Sequence, residues 1–170
     1  MPDGRLILKW GTLGDPGMAR RFRDRFEDLG IAPERLELRG WARHDEMLGE
    51  YGDIDIALDP FPFCGGLTTL EALWMGVPVV TWPQSRPVSR QSLGFLTQLG
   101  LTDLVATDED AYVRIAADLA HDRARLGRLR RAQRDRMAAA PICDGPGFTA
   151  GLEQTFRDLW RRWCAGQTGT

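Results

Sequence analysis

Short apolar runs alternate with longer amphipathic segments along this chain, and that pattern has one main solution: an α/β fold in which a parallel sheet is flanked by helices. Arg5 to Trp10 reads as a first strand. Pro16 to about Leu29 reads as the first helix, with Pro16 suited to an opening turn and Gly30 to its end. A second strand over Leu36 to Arg39 leads into a short helix from His44 to Tyr51. The third strand, Ile54 to Leu58, stops at Asp59-Pro60, where proline cannot continue a ladder. A compact helix follows over Thr69 to Met75. Val77 to Trp82 is a fourth strand, apolar almost throughout, as expected when both faces are covered. Then come a helix from Ser89 to Leu99 closed by Gly100, a stretch at Leu104 to Ala106 that suits a short fifth strand, and helices over Asp110 to Ala120 and Arg123 to about Ala139. After a loop from Pro141 to Gly147, Phe148, Leu152, Phe156, Leu159, Trp160 and Trp163 recur at helical spacing along a final helix. Such a stripe ordinarily packs into a core.

At 170 residues the chain has the length of one domain, so residues 1–170 are read as a single unit and a two-domain enzyme does not fit. A formal charge of −2 gives no electrostatic case for nucleic acid or an anionic membrane surface, and any anion must be held locally. Lys9 is the only lysine among 22 basic residues. Arginine clusters such as Arg128, Arg130 and Arg131 read as a solvated helix face. Cys64, Cys143 and Cys164 are odd in number and far apart, which fits neither a disulfide framework nor a zinc site, so a reducing, cytoplasmic setting is expected. No run approaches the 18 apolar residues of a membrane span, and Met1-Pro2-Asp3-Gly4 opens no signal peptide.

In an open α/β sheet, ligands gather beyond the carboxyl ends of the strands. The richest loop there runs from Asp59 through Pro60, Phe61, Pro62, Phe63, Cys64, Gly65 and Gly66 into the helix that carries Thr68, Thr69 and Glu71. Two prolines stiffen its first half, and two glycines let backbone approach a ligand closely. A helix N-terminus offers N–H groups and the positive end of its dipole, and threonine hydroxyls add donors, which together suit a diphosphate. The plainer reading of the same residues is a capping box, with Thr68 as N-cap and Glu71 reaching back to it. Glu71 discriminates between the two, since a carboxylate one turn into this helix could instead accept both hydroxyls of a ribose.

Other candidates are weaker. Gly11 to Gly17 lacks dinucleotide spacing, and Pro16 removes a donor, so an ordinary turn is expected. Asp53-Ile54-Asp55 matches a metal-binding D-x-D pattern, but at the opening of a strand, away from the site end. His44 and His121 lack the company of a nucleophilic or metal constellation, although His44 and Trp41, following the second strand, could line a ligand mouth.

The run from Asp53 to Phe63, then Gly65-Gly66 to Thr69, then Glu71-Ala72-Leu73-Trp74-Met75-Gly76-Val77-Pro78-Val79-Val80-Thr81 resembles the C-terminal catalytic region of O-GlcNAc transferases, the SPINDLY-like members of glycosyltransferase family 41. The likeness continues through Ser89-Arg90, Asp110 to Val113, Pro141 to Asp144 and Trp160 to Trp163, nearly the whole chain. It implies the Rossmann-like C-terminal lobe of a GT-B glycosyltransferase with extra C-terminal helices, including an aromatic helix over 148–165. It also implies inverting transfer of GlcNAc from UDP-GlcNAc to protein Ser or Thr, with no metal and no cofactor. By position, Gly66, Leu67, Thr68 and Thr69 would contact the diphosphate. Glu71 would stand for the family's ribose-binding Asp, and Trp41, Ala42 and His44 would flank the base. Arg90 lies in a family-like Ser-Arg pair.

Four positions depart from the family: Cys64 stands where Asn is usual, Leu67 where a hydroxyl donor is common, Met47 where many have His, and Glu71 for Asp. The family's upstream strand, with a Gln and a Lys that contact the donor, its N-terminal lobe and its tetratricopeptide repeats have no counterpart here. Lys9, within the first strand, is not expected to substitute. The expected partners are therefore a nucleotide sugar, a protein acceptor, and a separate N-terminal lobe or another chain met through the last helix. Little or no transfer is expected from this chain alone. The alternatives are the same family with GDP-fucose, or with UDP-glucose and asparagine, and a non-catalytic remnant that binds a partner.

Overall fold

β1 (Leu6–Lys9) and β2 (Leu36–Arg39) pair in parallel, in register from Leu6 opposite Leu36 to Lys9 opposite Arg39, in the computed structural model, which describes residues 4–166. Met1 to Asp3, where the absence of a signal peptide was read, lie outside the described residues. The chain divides into two compact units, one up to Asp55 and one from Ile56.

In the first unit, α1 (Pro16–Asp28) and α2 (His44–Glu50) accompany the two strands. Asp15 caps α1 by accepting the Met18 N–H at 2.8 Å, Pro16 occupies the first turn, and Gly30 follows the helix at φ +76°. Gly11 to Gly14 form a 3₁₀ turn, the ordinary turn expected there; it runs against Gly40, where a Cβ would come within 2.8 Å of the Gly14 Cα. Lys9 Nζ reaches Glu50 Oε1 at 2.8 Å and the Gly40 carbonyl at 3.1 Å. Arg39 binds Glu37, Asp53 and Glu50 at 2.7, 2.9 and 3.3 Å. This network ties both strands to α2 and to the turn at Tyr51–Asp53.

The Lys9 hydrogen bond, with help from Arg39, holds the Glu50 carboxyl below its ordinary value of 4.5. A lowered native pKa means stability that is fully present above the ordinary value and lost as pH falls through the native one. Glu50→Gln should therefore cost about 1 kcal/mol at neutral pH, and the cost should shrink in urea melts as pH falls below the ordinary value of 4.5 and through the lowered native one.

The second unit holds β3 (Ala57–Leu58), α3 (Leu67–Trp74), β4 (Val79–Val80), α4 (Gln91–Gln98), α5 (Glu109–His121), α6 (Arg123–Ala138) and α7 (Gly145–Cys164). β3 and β4 are parallel, with Ala57 opposite Val79, and Val105 extends the ladder as a single parallel bridge to Thr81. Both strands are shorter than the apolar runs that announced them. Ile54 is instead drawn into the preceding turn by its N–H bond to the Tyr51 carbonyl, and the expected fifth strand is reduced to that one bridge by a 3₁₀ turn over Thr102–Leu104. Pro78 lacks an N–H but still contributes its carbonyl to the Ala57 N–H at 2.9 Å.

Leu73, Val77, Val80, Leu96, Leu104 and Leu119 form the core of this unit, each fully buried. Each contributes roughly 1.5–3 kcal/mol of apolar burial. α3 lies against α6: Arg134 Nε donates to the Trp74 carbonyl at 3.0 Å, and its guanidinium sits 5.3 Å from the Trp74 ring centre.

The final helix overturns the expectation of core packing. α7 starts at Gly145, three residues before Phe148, because Asp144 accepts the Gly147 N–H at 2.9 Å as its cap. None of its residues is buried, and Phe148, Leu152, Phe156, Leu159, Trp160 and Trp163 are all exposed. Periodicity reveals that a helix has an apolar face, not what covers that face. No helix of the described residues is long and apolar enough to cross a membrane.

Candidate functional site

The loop after β3 is held by its own polar side chains. Asp59 is buried, and its carboxylate accepts the Gly65 N–H at 2.7 Å and the Thr81 hydroxyl at 2.6 Å. The Asp59 backbone N–H donates to the Val80 carbonyl at 2.9 Å, which continues the β3–β4 ladder to the loop's first residue. Tyr112 of α5 donates its hydroxyl to the Asp59 carbonyl at 2.9 Å. Burial, and secondarily the Asp59 charge, push that phenol above its ordinary range, so Tyr112 remains a donor at any physiological pH. Phe61 packs edge-on against Trp82 and Tyr112, at 4.6 and 5.8 Å between ring centres. At the far end Cys64 is tied to the Val88 carbonyl through both N–H and thiol, at 3.3 and 3.2 Å.

α3 begins at Leu67 with Gly66 as its N-cap, two residues earlier than the sequence suggested. This corrects the capping-box reading. Thr68 is the second helical residue rather than the cap, and Glu71 is the fifth, too far along to reach the cap's N–H. The helix's own ladder starts with the Leu70 N–H on the Gly66 carbonyl at 3.2 Å, so the amides of Leu67, Thr68 and Thr69 precede it. Leu67 and Thr68 are exposed; Thr69 is buried, its hydroxyl 3.0 Å from that of Ser92. What Thr69 offers a ligand is therefore its backbone amide. Glu71 is buried, one turn in. Gly66 lies beside Gln91, whose side-chain oxygen would be 3.1 Å from an added Cβ. Arg90, next to Gln91, is exposed and binds the Gln84 carbonyl at 3.1 Å.

The remaining sequence candidates belong to the first unit. Trp41 is 80% exposed just after β2, Ala42 is half-buried, and His44 opens α2, exposed. Lys9 is engaged by Glu50, and Asp53 by Arg39. Asp53 lies in a turn rather than opening a strand, since β3 starts only at Ala57. His121 ends α5 with its ring Nδ1 2.7 Å from the Ala117 carbonyl. Cys64, Cys143 and Cys164 are free thiols. Among the described residues, no three His, Cys, Asp or Glu side chains are grouped to hold a metal ion.

Sequence reasoning missed the residues that shape the loop, Asp59, Thr81 and Ser92. A signal existed for two of them: a carboxylate ending an apolar strand, and a threonine at the end of the almost wholly apolar run that became β4. Ser92 had none.

A glycine loop running from a short parallel strand into a helix N-terminus is the ligand end of a Rossmann-like α/β lobe. Comparison with known proteins gives the particular family: residues 5–152 match the model of glycosyl transferase family 41, and the chain belongs to that family. The chain is 40% identical over 169 residues to a probable UDP-N-acetylglucosamine–peptide N-acetylglucosaminyltransferase SPINDLY of Arabidopsis thaliana, covering 98% of this chain and 18% of that protein. A Caenorhabditis elegans UDP-N-acetylglucosamine–peptide N-acetylglucosaminyltransferase is 30% identical over 140 residues, or 82% of this chain and 12% of that one. A mutant O-GlcNAc transferase of Thermobaculum terrenum superposes with a TM-score of 0.92 at 39% identity, over 98% of this chain and 32% of that chain. The chain thus spans under a third of each of these relatives.

Proposed function

We propose that this chain, taken over 1–170 as one functional unit, is the nucleotide-sugar-binding lobe of a protein O-glycosyltransferase that takes GlcNAc from UDP-GlcNAc to Ser or Thr with inversion. The observation that carries the reading is the α3 N-terminus, set behind a glycine loop in a chain of this family. The amides of Gly66, Leu67, Thr68 and Thr69 receive the diphosphate, where the helix dipole favours negative charge. Glu71 accepts the ribose hydroxyls. Arg90, in the same unit, serves the same donor.

The chemistry asked of such a lobe is stabilisation of a leaving group. As the acceptor hydroxyl attacks the anomeric carbon, the bond to the diphosphate oxygen breaks, and charge grows on that oxygen. Backbone donors already aimed there stabilise it without reorganising. The general base for that hydroxyl, and acceptor binding, belong to residues outside this chain.

Two measurements test this reading. The purified chain should give no transfer to an acceptor protein on its own, and turnover without another polypeptide would overturn that part. In calorimetry with UDP, GDP and UDP-GlcNAc, the uridine compounds should bind and GDP should bind at least 10-fold more weakly, about 1.4 kcal/mol. A preference for GDP would favour a fucosyl donor. Silence towards all three would leave the exposed aromatic face of α7 as the functional feature, and with it the reading of a partner-binding remnant.

A further inference from the structure

We infer that Asp59 and Ser92 are positioning residues that hold the two peptides flanking the Gly65 Cα, Asp59 the Cys64–Gly65 peptide and Ser92 the Gly65–Gly66 peptide, and thereby aim the Gly66 amide at the diphosphate; this rests on the nucleotide-binding reading above. Three observations carry it. The Gly65 N–H is taken by the buried Asp59 carboxylate at 2.7 Å, and the Gly65 carbonyl accepts the Ser92 hydroxyl at 3.2 Å. Ser92 is itself fully buried on α4, with its oxygen 3.0 Å from the Thr69 hydroxyl. The space behind the loop is closed, since a Cβ on Gly65 would collide with the Thr69 hydroxyl.

The consequence follows from the planarity of a trans peptide, in which the carbonyl of one residue and the N–H of the next point in opposite directions. With the Gly65 carbonyl turned to buried Ser92, the Gly66 N–H is turned the other way, away from Ser92. It thus joins the first-turn amides of α3 instead of spending itself in the interior. Thr81, the other donor to Asp59, supports the carboxylate without touching Gly65.

The test uses the purified chain, with UDP as probe and hydrogen exchange of the Gly65 and Gly66 amides followed by NMR. In the parent, the Gly65 amide should exchange slowly and the Gly66 amide at near-solvent rates. Ser92→Ala should let the Gly65–Gly66 peptide reorient, narrow that contrast at least 10-fold and weaken UDP binding about 10-fold. Asp59→Asn should act in the same direction. Thr81→Val, which removes a buried bond but not the grip, should lower the unfolding midpoint while keeping UDP affinity within twofold. If Asp59→Asn fails to fold, Ser92→Ala against Thr81→Val decides. A protected Gly66 amide in the parent, or Ser92→Ala binding UDP as tightly as the parent, overturns the inference. If the parent shows the exchange pattern but binds no UDP, the nucleotide reading fails and the geometric grip stands.

Discussion

Gly76→Ala should cost about 3 kcal/mol in denaturant unfolding, whereas Gly30→Ala, at nearly the same backbone angle, should cost only about 1 kcal/mol. Gly76 sits at φ +85° immediately after α3, and a Cβ there would lie 2.9 Å from the Arg130 backbone carbonyl and 3.3 Å from its side chain. Gly30, at φ +76°, has nothing within 4 Å of such a Cβ. Both substitutions carry left-handed strain, and only the first also forces α6 away from α3. Because α3 bears the proposed donor site, Gly76→Ala should weaken UDP binding as well, and Gly30→Ala should leave it unchanged. Equal unfolding costs at the two positions would mean that the approach of α6 to α3 is looser than described. A domain of this size has roughly 5–15 kcal/mol in hand, so the larger loss stays measurable in a folded protein.

Glu71→Ala should reduce UDP affinity by about 30- to 150-fold, the equivalent of roughly 2–3 kcal/mol for losing charge-assisted hydrogen bonds to a ribose. Glu71→Asp should recover much of it, since it keeps the carboxylate and shortens the arm by one methylene. Folding stability should change less than affinity. Titration of both variants with UDP, and with uridine to remove the diphosphate contribution, separates the two halves of the site. A variant that loses stability but keeps UDP affinity would make Glu71 a structural residue of α3 and remove the ribose assignment.

The positions of helices and of the glycine loop before α3 were legible in the sequence because their signals are local. Asp15-Pro16 opens α1, Gly30 and Gly100 follow helices in the left-handed region, and two adjacent glycines precede α3. Strand lengths were not legible. Ile54 and Val77 are as apolar as the residues that pair, but pairing depends on a neighbour's backbone, which the sequence does not display. The start of α3 was misread because Thr68 and Glu71 have the spacing of a capping box, and only the fold shows that Gly66 already serves as cap. The α7 stripe was misread for the opposite reason: its period was right and its surroundings were invisible. The candidate site divided in the same way. Gly66, Thr68 and Glu71 stood out as a motif, while Asp59 meets Thr81 across 22 residues of chain and Ser92 meets Gly65 across 27, with no local signature of meeting.

Donor binding at the α3 N-terminus is tested most directly by the map of backbone amide shifts when UDP is added to the isotopically labelled chain. Saturable shifts should be largest at Gly66, Leu67, Thr68 and Thr69, with Glu71 and Gly65 next and little change along α6 or α7. Shifts centred on the arginine-rich α6, or no saturable shift at millimolar UDP, would contradict donor binding there.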